Sequence, residues 1–245
     1  MRITEIRNDR LAGLAPPRFK CDECIVNRDI EPLPNRAFFL AVVGRPGSGK
    51  TSFCISTLTS RKPKVYHRAF NHLWVFIPSA SRASMRCDPF SALNQQQLYE
   101  ELSFANLSEV FQTIKKQGPQ PNGQYQTNLI VIDDFASSLK DHSIQKLLLD
   151  IVLNRRHLHT SIMIMSQFYN AIPLPLRKNL SALVQVGRIV NKREWRSLDE
   201  VFHLDQDTMA KVMAHAFQGP HDNLLVRLDT GRMYRNLNEL QIQEH

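Results

Sequence analysis

The strongest constraint on the fold of this 245-residue chain is an apolar run, residues 37–43, that leads directly into a glycine-containing segment, residues 44–51. A continuous apolar run of this length is typical of a strand that is covered on both faces, as in parallel sheets flanked by helices. The following segment has the pattern G-x-x-x-x-G-K-T, which wraps phosphate groups when it joins a strand to a helix. Together they predict a parallel α/β fold that binds a phosphate-bearing ligand at the end of this strand.

Four further apolar runs, at residues 72–77, 128–132, 161–165 and 182–186, predict additional strands of the same sheet. Between them, apolar residues recur roughly every three to four positions, as on one face of a helix. We expect Asn106 to cap one of these helices. The apolar faces are Leu107, Val110, Phe111 and Ile114, and Ile144, Leu147, Leu148, Ile151 and Val152. Because strands and helices alternate, we predict a three-layer α/β fold with a largely parallel central sheet.

Prolines separate the N-terminal part of the chain from this alternating pattern. Because proline supplies no backbone donor, the prolines at positions 16, 17, 32 and 34 predict an N-terminal extension over residues 1–35. Residues 36–245 are expected to form one domain, ending in a helix near residues 209–217 and a hairpin around residues 229–231. Cys21 and Cys24 form a C-x-x-C, but no second Cys/His pair at short spacing completes a zinc site.

The chain carries a net charge of +8 and has a pI of about 9.5. This charge favours an anionic partner such as nucleic acid or a membrane surface, although many soluble proteins are merely basic. No apolar run approaches the roughly 18 residues that a membrane-spanning helix needs, so we expect no membrane insertion. Four cysteines are too few for a disulfide scaffold, which favours a reducing compartment.

Residues 44–51 match the Walker A pattern, and each residue type in it has a chemical reason. Glycines let backbone N–H groups turn inward around a phosphate. Lys50 is expected to neutralise the β- and γ-phosphates, and the Thr51 hydroxyl to ligate Mg²⁺. A helix starting at Lys50 would add the positive end of its dipole. The predicted nucleotide-binding residues are Gly44, Pro46, Gly47, Ser48, Gly49, Lys50, Thr51 and Ser52.

Two aspartates end the apolar run 128–132, in the manner of a Walker B strand. Asp133, at the carboxyl end of the strand, is expected to hold Mg²⁺. Asp134 points elsewhere and is predicted to polarise the attacking water as a base, the alternative being a helix or turn cap. A GTPase would have D-x-x-G here, whereas this chain has Asp-Asp-Phe-Ala, and residues 191–194 have Glu where the guanine-reading N-K-x-D has Asp. The predicted ligands are therefore ATP and Mg²⁺.

Four segments of the chain together carry a family resemblance: the P-loop, residues 132–135, Arg155-Arg156-His157 before a strand that ends in Ser166-Gln167, and residues 172–180. These segments resemble the FtsK–HerA superfamily, and most closely the poxvirus-type genome-packaging ATPases of large DNA viruses. The resemblance covers about residues 38–188. It implies an ASCE-type P-loop ATPase that forms a homo-oligomeric ring, a pentamer or hexamer, and moves double-stranded DNA into a capsid irrespective of sequence. It also implies capsid or portal-type vertex proteins as partners, and a location in the host cytoplasm, the virus factory or the virion.

The resemblance also implies roles for a glutamine and two arginines. Gln167 would face the γ-phosphate and sense or orient the water, the alternative being an exposed loop glutamine. Arg155 or Arg156 would act as an arginine finger for a neighbouring subunit. The alternative is that these cations stabilise the end of the preceding helix. Arg177 is a lesser candidate for the finger.

Two basic segments and three functions stay open at this point. Residues 78–86, with Arg82 and Arg86, could follow a DNA phosphate backbone or form a solvated loop. Residues 192–196 are a second basic cluster with the same ambiguity. The preferred function is an ATP-hydrolysing, DNA-translocating packaging motor. The alternatives are an ATP-gated assembly or docking protein without DNA translocation, and a P-loop nucleotide or nucleoside kinase, which would not need the paired acid.

Overall fold

The structure is a computed structural model that describes residues 25–27, 30–85, 88–91, 93, 95–120, 123–189, 192–202 and 204–242. The C-x-x-C of Cys21 and Cys24, and Arg86 of the first basic segment, lie outside the described residues. The side chains of Lys192 and Arg193 also lie outside them.

Among the described residues, nine strands form one sheet in the order β3-β2-β4-β5-β1-β6-β7-β8-β9. The strands from β3 to β6 in this order are parallel, and β7, β8 and β9 continue the sheet in antiparallel fashion. Their bounds are β1 Phe39–Val43, β2 His72–Phe76, β3 Leu98–Tyr99, β4 Asn128–Asp133, β5 Thr160–Ser166, β6 Ala182–Val186, β7 Asn223–Arg227, β8 Met233–Arg235 and β9 Asn238–Leu240.

Helices cover both faces of this sheet, which confirms the predicted three-layer α/β fold. They are α1 Lys50–Thr59, α2 Ser79–Ala83, α3 Phe104–Lys116, α4 His142–Asn154, α5 Leu174–Arg177, α6 Lys192–Phe202 and α7 Gln206–Ala216. On one face, α3, α4, α6 and α7 pack on alternate strand residues such as Phe39 and Ile130. On the other face, α1 packs on their neighbours, such as Leu40 and Val131. The central parallel strands β1, β4, β5 and β6 are thus buried along their whole length, as their continuous apolar runs predict.

The core includes residues of the predicted N-terminal extension. Ile30 and Leu33 are buried in the core on the α1 face. The hydroxyl of Tyr66 donates a hydrogen bond of 2.6 Å to the carbonyl oxygen of Pro34. Residues 30–35 therefore contribute side chains to the same core as β1, although prolines interrupt any helix or strand there.

The start of α3 differs from the prediction. Its cap is Ser103, whose hydroxyl accepts a hydrogen bond of 3.2 Å from the backbone N–H of Asn106. Asn106 is thus inside the first turn, and the prediction that it caps the helix was wrong. Phe104 occupies the first turn with half of its surface exposed, so the apolar pattern does not mark where this helix begins.

The topology brings three chain segments together at one edge of the sheet. β5 lies between β1 and β4, with Val43 beside Ser166 and Asp133 beside Met165. Because all three strands are parallel, Gly44, Asp134 and Gln167 leave the sheet side by side at this carboxyl edge. The opposite edge, at the amino ends of the parallel strands, carries the connections that precede β2, β4 and β5.

Candidate nucleotide-binding site

The backbone of residues 44–51 has the conformation that its glycines permit. Gly47 and Gly49 have φ angles of +74° and +104°, in the left-handed region that costs glycine nothing. A Cβ on Gly44 would lie 2.3 Å from the carbonyl oxygen of Val186, so only glycine fits between the loop and β6. The loop therefore turns tightly at the end of β1 and delivers Lys50 as the first residue of α1.

Lys50 is buried at the mouth of this loop, with 8% of its surface exposed. Its Nζ donates to the carbonyl oxygens of Gly44 and Arg45, at 2.7 and 3.0 Å. Burial lowers the pKa of Lys50, while the nearby carboxylates of Asp133 and Asp134 oppose the shift. A cation held out of water in this way is stabilised by an anionic ligand, as the predicted role of Lys50 requires.

Thr51 and Asp133 form the predicted magnesium pair. The Thr51 hydroxyl donates to Oδ2 of Asp133 at 3.1 Å, and Asp133 is 3% exposed. Burial raises the pKa of Asp133, and the hydrogen bond from Thr51 opposes that shift. A divalent cation would stabilise the charged carboxylate, and these two hard oxygen donors suit Mg²⁺. The residues present therefore fit the metal that the sequence predicts.

Asp134 and Gln167 meet at the same edge of the sheet. The Gln167 amide Nε2 lies 3.1 Å from both carboxylate oxygens of Asp134 and donates to them. Asp134 has a φ of 58°, a left-handed conformation that aspartate adopts more readily than most residues, and its N–H donates to the Met165 carbonyl. The predicted base and the predicted water-orienting amide are thus direct neighbours across β4 and β5.

Two clefts lie on either side of the P-loop. The first, of about 510 Å³, is lined by Lys50, Thr51, Asp133, Asp134 and Gln167, together with residues of α2 and the segment that follows it. The second, of about 500 Å³, lies beside Gly47 and Gly49 and is lined by Phe53, Ser56, Val186, His221 and Asn223. Residues 50–52 line both clefts, so the start of α1 separates a carboxylate-rich side from an aromatic side.

The first basic segment lies at the carboxylate-rich cleft. Residues 79–83 form the short helix α2, and Ser81, Ser84 and Met85 line the carboxylate-rich cleft. Arg82 forms an ion pair of 2.6 Å with Asp88. The guanidinium of Arg82 is therefore neutralised within the chain, which weakens the interpretation of this segment as a phosphate-tracking loop.

The candidate arginine fingers lie away from these carboxylates in their own chain. Arg155 and Arg156 follow α4 at the amino edge, a full strand length from Asp134 and Gln167. Arg155 donates from Nη1 to the Val152 carbonyl at 2.8 Å, and its partial burial lowers its pKa. Arg156 is exposed. Arg177, in α5, donates to the Asn170 side chain and stacks over the Tyr169 ring.

Two further residues near the loop make contacts that the sequence did not predict. Glu194 is buried in α6, where it accepts a hydrogen bond from the Tyr169 backbone, so it packs the segment after β5 instead of reading a base. His221 contacts the P-loop directly, with Nδ1 2.8 Å from the carbonyl oxygen of Ser48. It lies 173 positions away from Ser48, in a turn without a recognised motif, so no local signal marks it.

None of the helices within the described residues has the length and apolar composition that crossing a membrane requires.

Solved structures with this fold include packaging enzymes of archaeal viruses. The DNA-packaging ATPase B204 of Sulfolobus turreted icosahedral virus has a TM-score of 0.61 at 11% identity, over 86% of this chain and 100% of its own. The genome-packaging NTPase B204 of Sulfolobus turreted icosahedral virus 2, in complex with AMPPCP, has a TM-score of 0.59 at 13% identity, with the same coverage. EssC (ATPases 2 and 3) from Geobacillus thermodenitrificans has a TM-score of 0.52 at 16% identity, over 78% of this chain and 38% of its own. At these identities the likeness shows a shared fold.

The family comparison is more specific. No relative was found among curated protein sequences. The family described as Poxvirus A32 protein matches residues 26–214, well over half of the chain, and this range contains the P-loop, both aspartates and Gln167. The match confirms the resemblance to poxvirus-type ATPases that the motifs indicate. The chain belongs to the Poxvirus A32 protein family.

Proposed function

We propose that this chain is an ATP-hydrolysing motor that moves double-stranded DNA into a viral capsid. The observation that carries the proposal is the pair of contacts at the carboxyl edge: Thr51 with Asp133, and Asp134 with Gln167. Membership of the Poxvirus A32 protein family, and the fold shared with enzymes named for genome packaging, support the packaging role. Capsid or portal-type vertex proteins would then be its partners, in the host cytoplasm, the virus factory or the virion.

The residues at the P-loop divide the chemistry of ATP hydrolysis between them. Lys50 neutralises the β- and γ-phosphates, and the glycine backbone supplies N–H donors around them. Thr51 and Asp133 would hold Mg²⁺, which would supply further positive charge beside these phosphates. Asp134 accepts a proton from the attacking water, and the Gln167 amide fixes the direction of that carboxylate. These roles need only side chains that already surround one cleft.

The same contacts favour hydrolysis over the kinase alternative. A kinase transfers the phosphoryl group to a bound acceptor and does not need a second acid at this strand end. Here the Asp134 carboxylate is exposed at the cleft and is held by an amide that can also orient water. The non-motor alternative shares this chemistry, and it differs only in lacking a response to DNA.

Two substitutions separate nucleotide binding from hydrolysis. Lys50→Ala is expected to weaken ATP binding and abolish turnover, because the phosphates lose their buried cation. Asp134→Asn is expected to bind ATP normally while turnover falls by about 10²- to 10⁴-fold, the usual contribution of a general base. Equilibrium binding and phosphate release would be measured on both. Asp150→Asn, at an exposed aspartate of α4, is the matched control. Normal turnover by Asp134→Asn would show that the base is misassigned.

A basic loop at the amino edge is a better candidate for DNA contact than residues 78–86. This loop, defined by Arg61, Lys62, Lys64 and Arg68, joins α1 to β2, and all four side chains are exposed. No acidic residue occurs between Ser60 and Asn71 in the sequence, so the loop itself supplies no carboxylate to neutralise these cations. Four exposed cations on one connection suit a phosphate backbone and carry no preference for base sequence.

The salt dependence of duplex binding tests this surface. Arg61→Gln, Lys62→Gln and Lys64→Gln together should lower the slope of log affinity against log salt by roughly 0.9 for each cation that touches phosphate. The control removes the same charge elsewhere, through Lys140→Gln, Lys146→Gln and Lys211→Gln, all at exposed positions. Equal slopes for the two triple variants would exclude the basic loop. Strong preference for one duplex sequence would argue against a motor that grips the backbone.

We further propose that Arg156 acts on the site of a neighbouring subunit. It lies at the amino edge, so it cannot reach the phosphates of its own chain, and it is exposed in the turn that follows α4. The bond from Arg155 to the Val152 carbonyl favours a helix-end role for Arg155 instead. An amino edge that meets the carboxyl edge of the next subunit makes a head-to-tail contact, and such contacts close into rings. A ring of about five or six subunits would have every site completed in this way.

Mixing two inactive variants tests whether Arg156 acts between subunits. Lys50→Ala lacks a working P-loop, and Arg156→Ala should lose about 10³- to 10⁵-fold in turnover, as nucleotidases do without their arginine finger. In mixed rings, some interfaces pair an intact P-loop with an intact Arg156, so phosphate release should recover. Arg155→Ala is the matched control and should retain turnover. If mixing restores nothing while native mass spectrometry shows mixed oligomers, Arg156 is not a finger that acts between subunits.

A further inference from the structure

The turn between α7 and β7 packs against the P-loop from the C-terminal part of the chain. In this turn, Nδ1 of His221 lies 2.8 Å from the carbonyl oxygen of Ser48. A carbonyl oxygen can only accept, so Nδ1 carries a proton and donates it. The same ring atom lies 3.3 Å from the position that a Cβ on Gly49 would occupy. The imidazole is thus seated on the loop backbone, and its other edge faces away from Ser48.

The turn is built to hold His221 in an unfavourable conformation. His221 has a φ of 67°, which is uncommon for a residue other than glycine and persists where the surroundings enforce it. The neighbouring Asp222 supplies that enforcement, because its carboxylate accepts four hydrogen bonds and its pKa is held well below its usual range. The donors are the N–H groups of Gln218 and Gly219 and the side chains of Arg235 and Asn236. The backbone carbonyl oxygen of Asp222 also accepts a hydrogen bond from the N–H of Gly187, at the end of β6.

The cleft beside His221 has the chemistry of a nucleoside site. It has a volume of about 500 Å³, and its walls include Phe53, His221 and Asn223. Two aromatic rings offer stacking surfaces, and an asparagine amide offers both a donor and an acceptor. Oδ1 of Asn223 is buried and has no hydrogen-bond partner among the residues that the structure describes.

The position of this cleft follows the expected direction of the nucleotide. The terminal phosphate is assigned to the cleft of Asp133, Asp134 and Gln167, on one side of Lys50. Residues 50–52 line that cleft and the aromatic one, which lies on the other side of the start of α1. A nucleotide whose phosphates are wrapped by the P-loop would therefore extend its sugar and base toward His221.

We propose that residues 217–223 form the nucleoside half of the nucleotide site, with the His221 ring packed on the sugar and base. The inference rests on the proposed function, because it takes a nucleotide as the ligand of the P-loop. The C-terminal strands then have a second role besides extending the sheet. β7 and the hydrogen bonds of Asp222 hold the His221 side chain against the bound nucleotide. This arrangement also makes His221 a specificity-determining residue, whereas Lys50 and the glycines recognise only phosphate.

The test compares ATP with inorganic tripolyphosphate, which has the three phosphates but no nucleoside. Calorimetric affinities for both ligands, with Mg²⁺, would be measured for the unaltered chain, His221→Ala and His221→Asn. Both variants should bind ATP about 5- to 100-fold more weakly, the effect of losing a stacking contact. Tripolyphosphate should change by less than about twofold in His221→Asn, because asparagine tolerates a positive φ and keeps a donor for Ser48. His215→Ala, at an exposed histidine of α7, is the matched control.

The outcomes separate this inference from the function on which it rests. If His221→Asn loses affinity for ATP and tripolyphosphate equally, His221 only positions the loop and the nucleoside site is refuted. Unchanged ATP affinity in both variants refutes it as well, and in either case the ATPase proposal stands. An unaltered chain that binds neither ligand would overturn both proposals. Asn223→Ala provides a second variant with the same expected contrast, should His221→Ala fail to fold.

Discussion

The site depends on the burial of opposite charges at the carboxyl edge of the sheet. Lys50 and Asp133 are both almost fully buried, so each is unfavourable alone and each is stabilised by the other. Burial lowers the pKa of the amine and raises that of the carboxyl, while their mutual attraction opposes both shifts. The tight approach of Gly44 to Val186 fixes the loop against β6, and Nζ of Lys50 is held by the carbonyl oxygens of Gly44 and Arg45. The result is a preorganised site in which the charges are already fixed where an anionic ligand and a divalent cation would bind.

The sequence predicted the parts of the fold that local patterns control. Continuous apolar runs marked β1, β2, β4, β5 and β6, because a strand buried on both faces has no polar alternation. The P-loop and the two aspartates at the end of β4 could also be predicted, because their chemistry requires residues that are adjacent in sequence. The contact between Asp134 and Gln167 could be anticipated only through the family resemblance. That contact requires β5 to lie between β1 and β4, and no single segment of the sequence determines the order of the strands.

The features that the sequence did not predict depend on contacts between residues that belong to no recognised motif. Ser103 caps α3 because its hydroxyl accepts a hydrogen bond from the N–H of Asn106. The exposed Phe104 that follows it lies outside the apolar face, so hydrophobic periodicity does not mark this helix start. From the sequence, Arg82 could contact DNA, whereas in the fold its guanidinium is paired with Asp88. His221 reaches Ser48 because β6 lies between β1 and β7, which brings the turn before β7 beside the loop after β1. Its positive φ is not marked by any sequence pattern. These features depend on tertiary structure, which overrides local preference.

We propose that ATP hydrolysis at the carboxyl edge of the sheet drives DNA held at the amino edge, and this coupling is the central claim of the account. A triplex-displacement assay measures that coupling directly, because a motor that moves along a duplex strips off a third strand in its path. The account predicts that the chain releases a triplex-forming oligonucleotide when ATP and Mg²⁺ are supplied. It predicts no release with a non-hydrolysable ATP analogue. A chain that hydrolyses ATP in the presence of this duplex, yet leaves the third strand bound, would contradict the account.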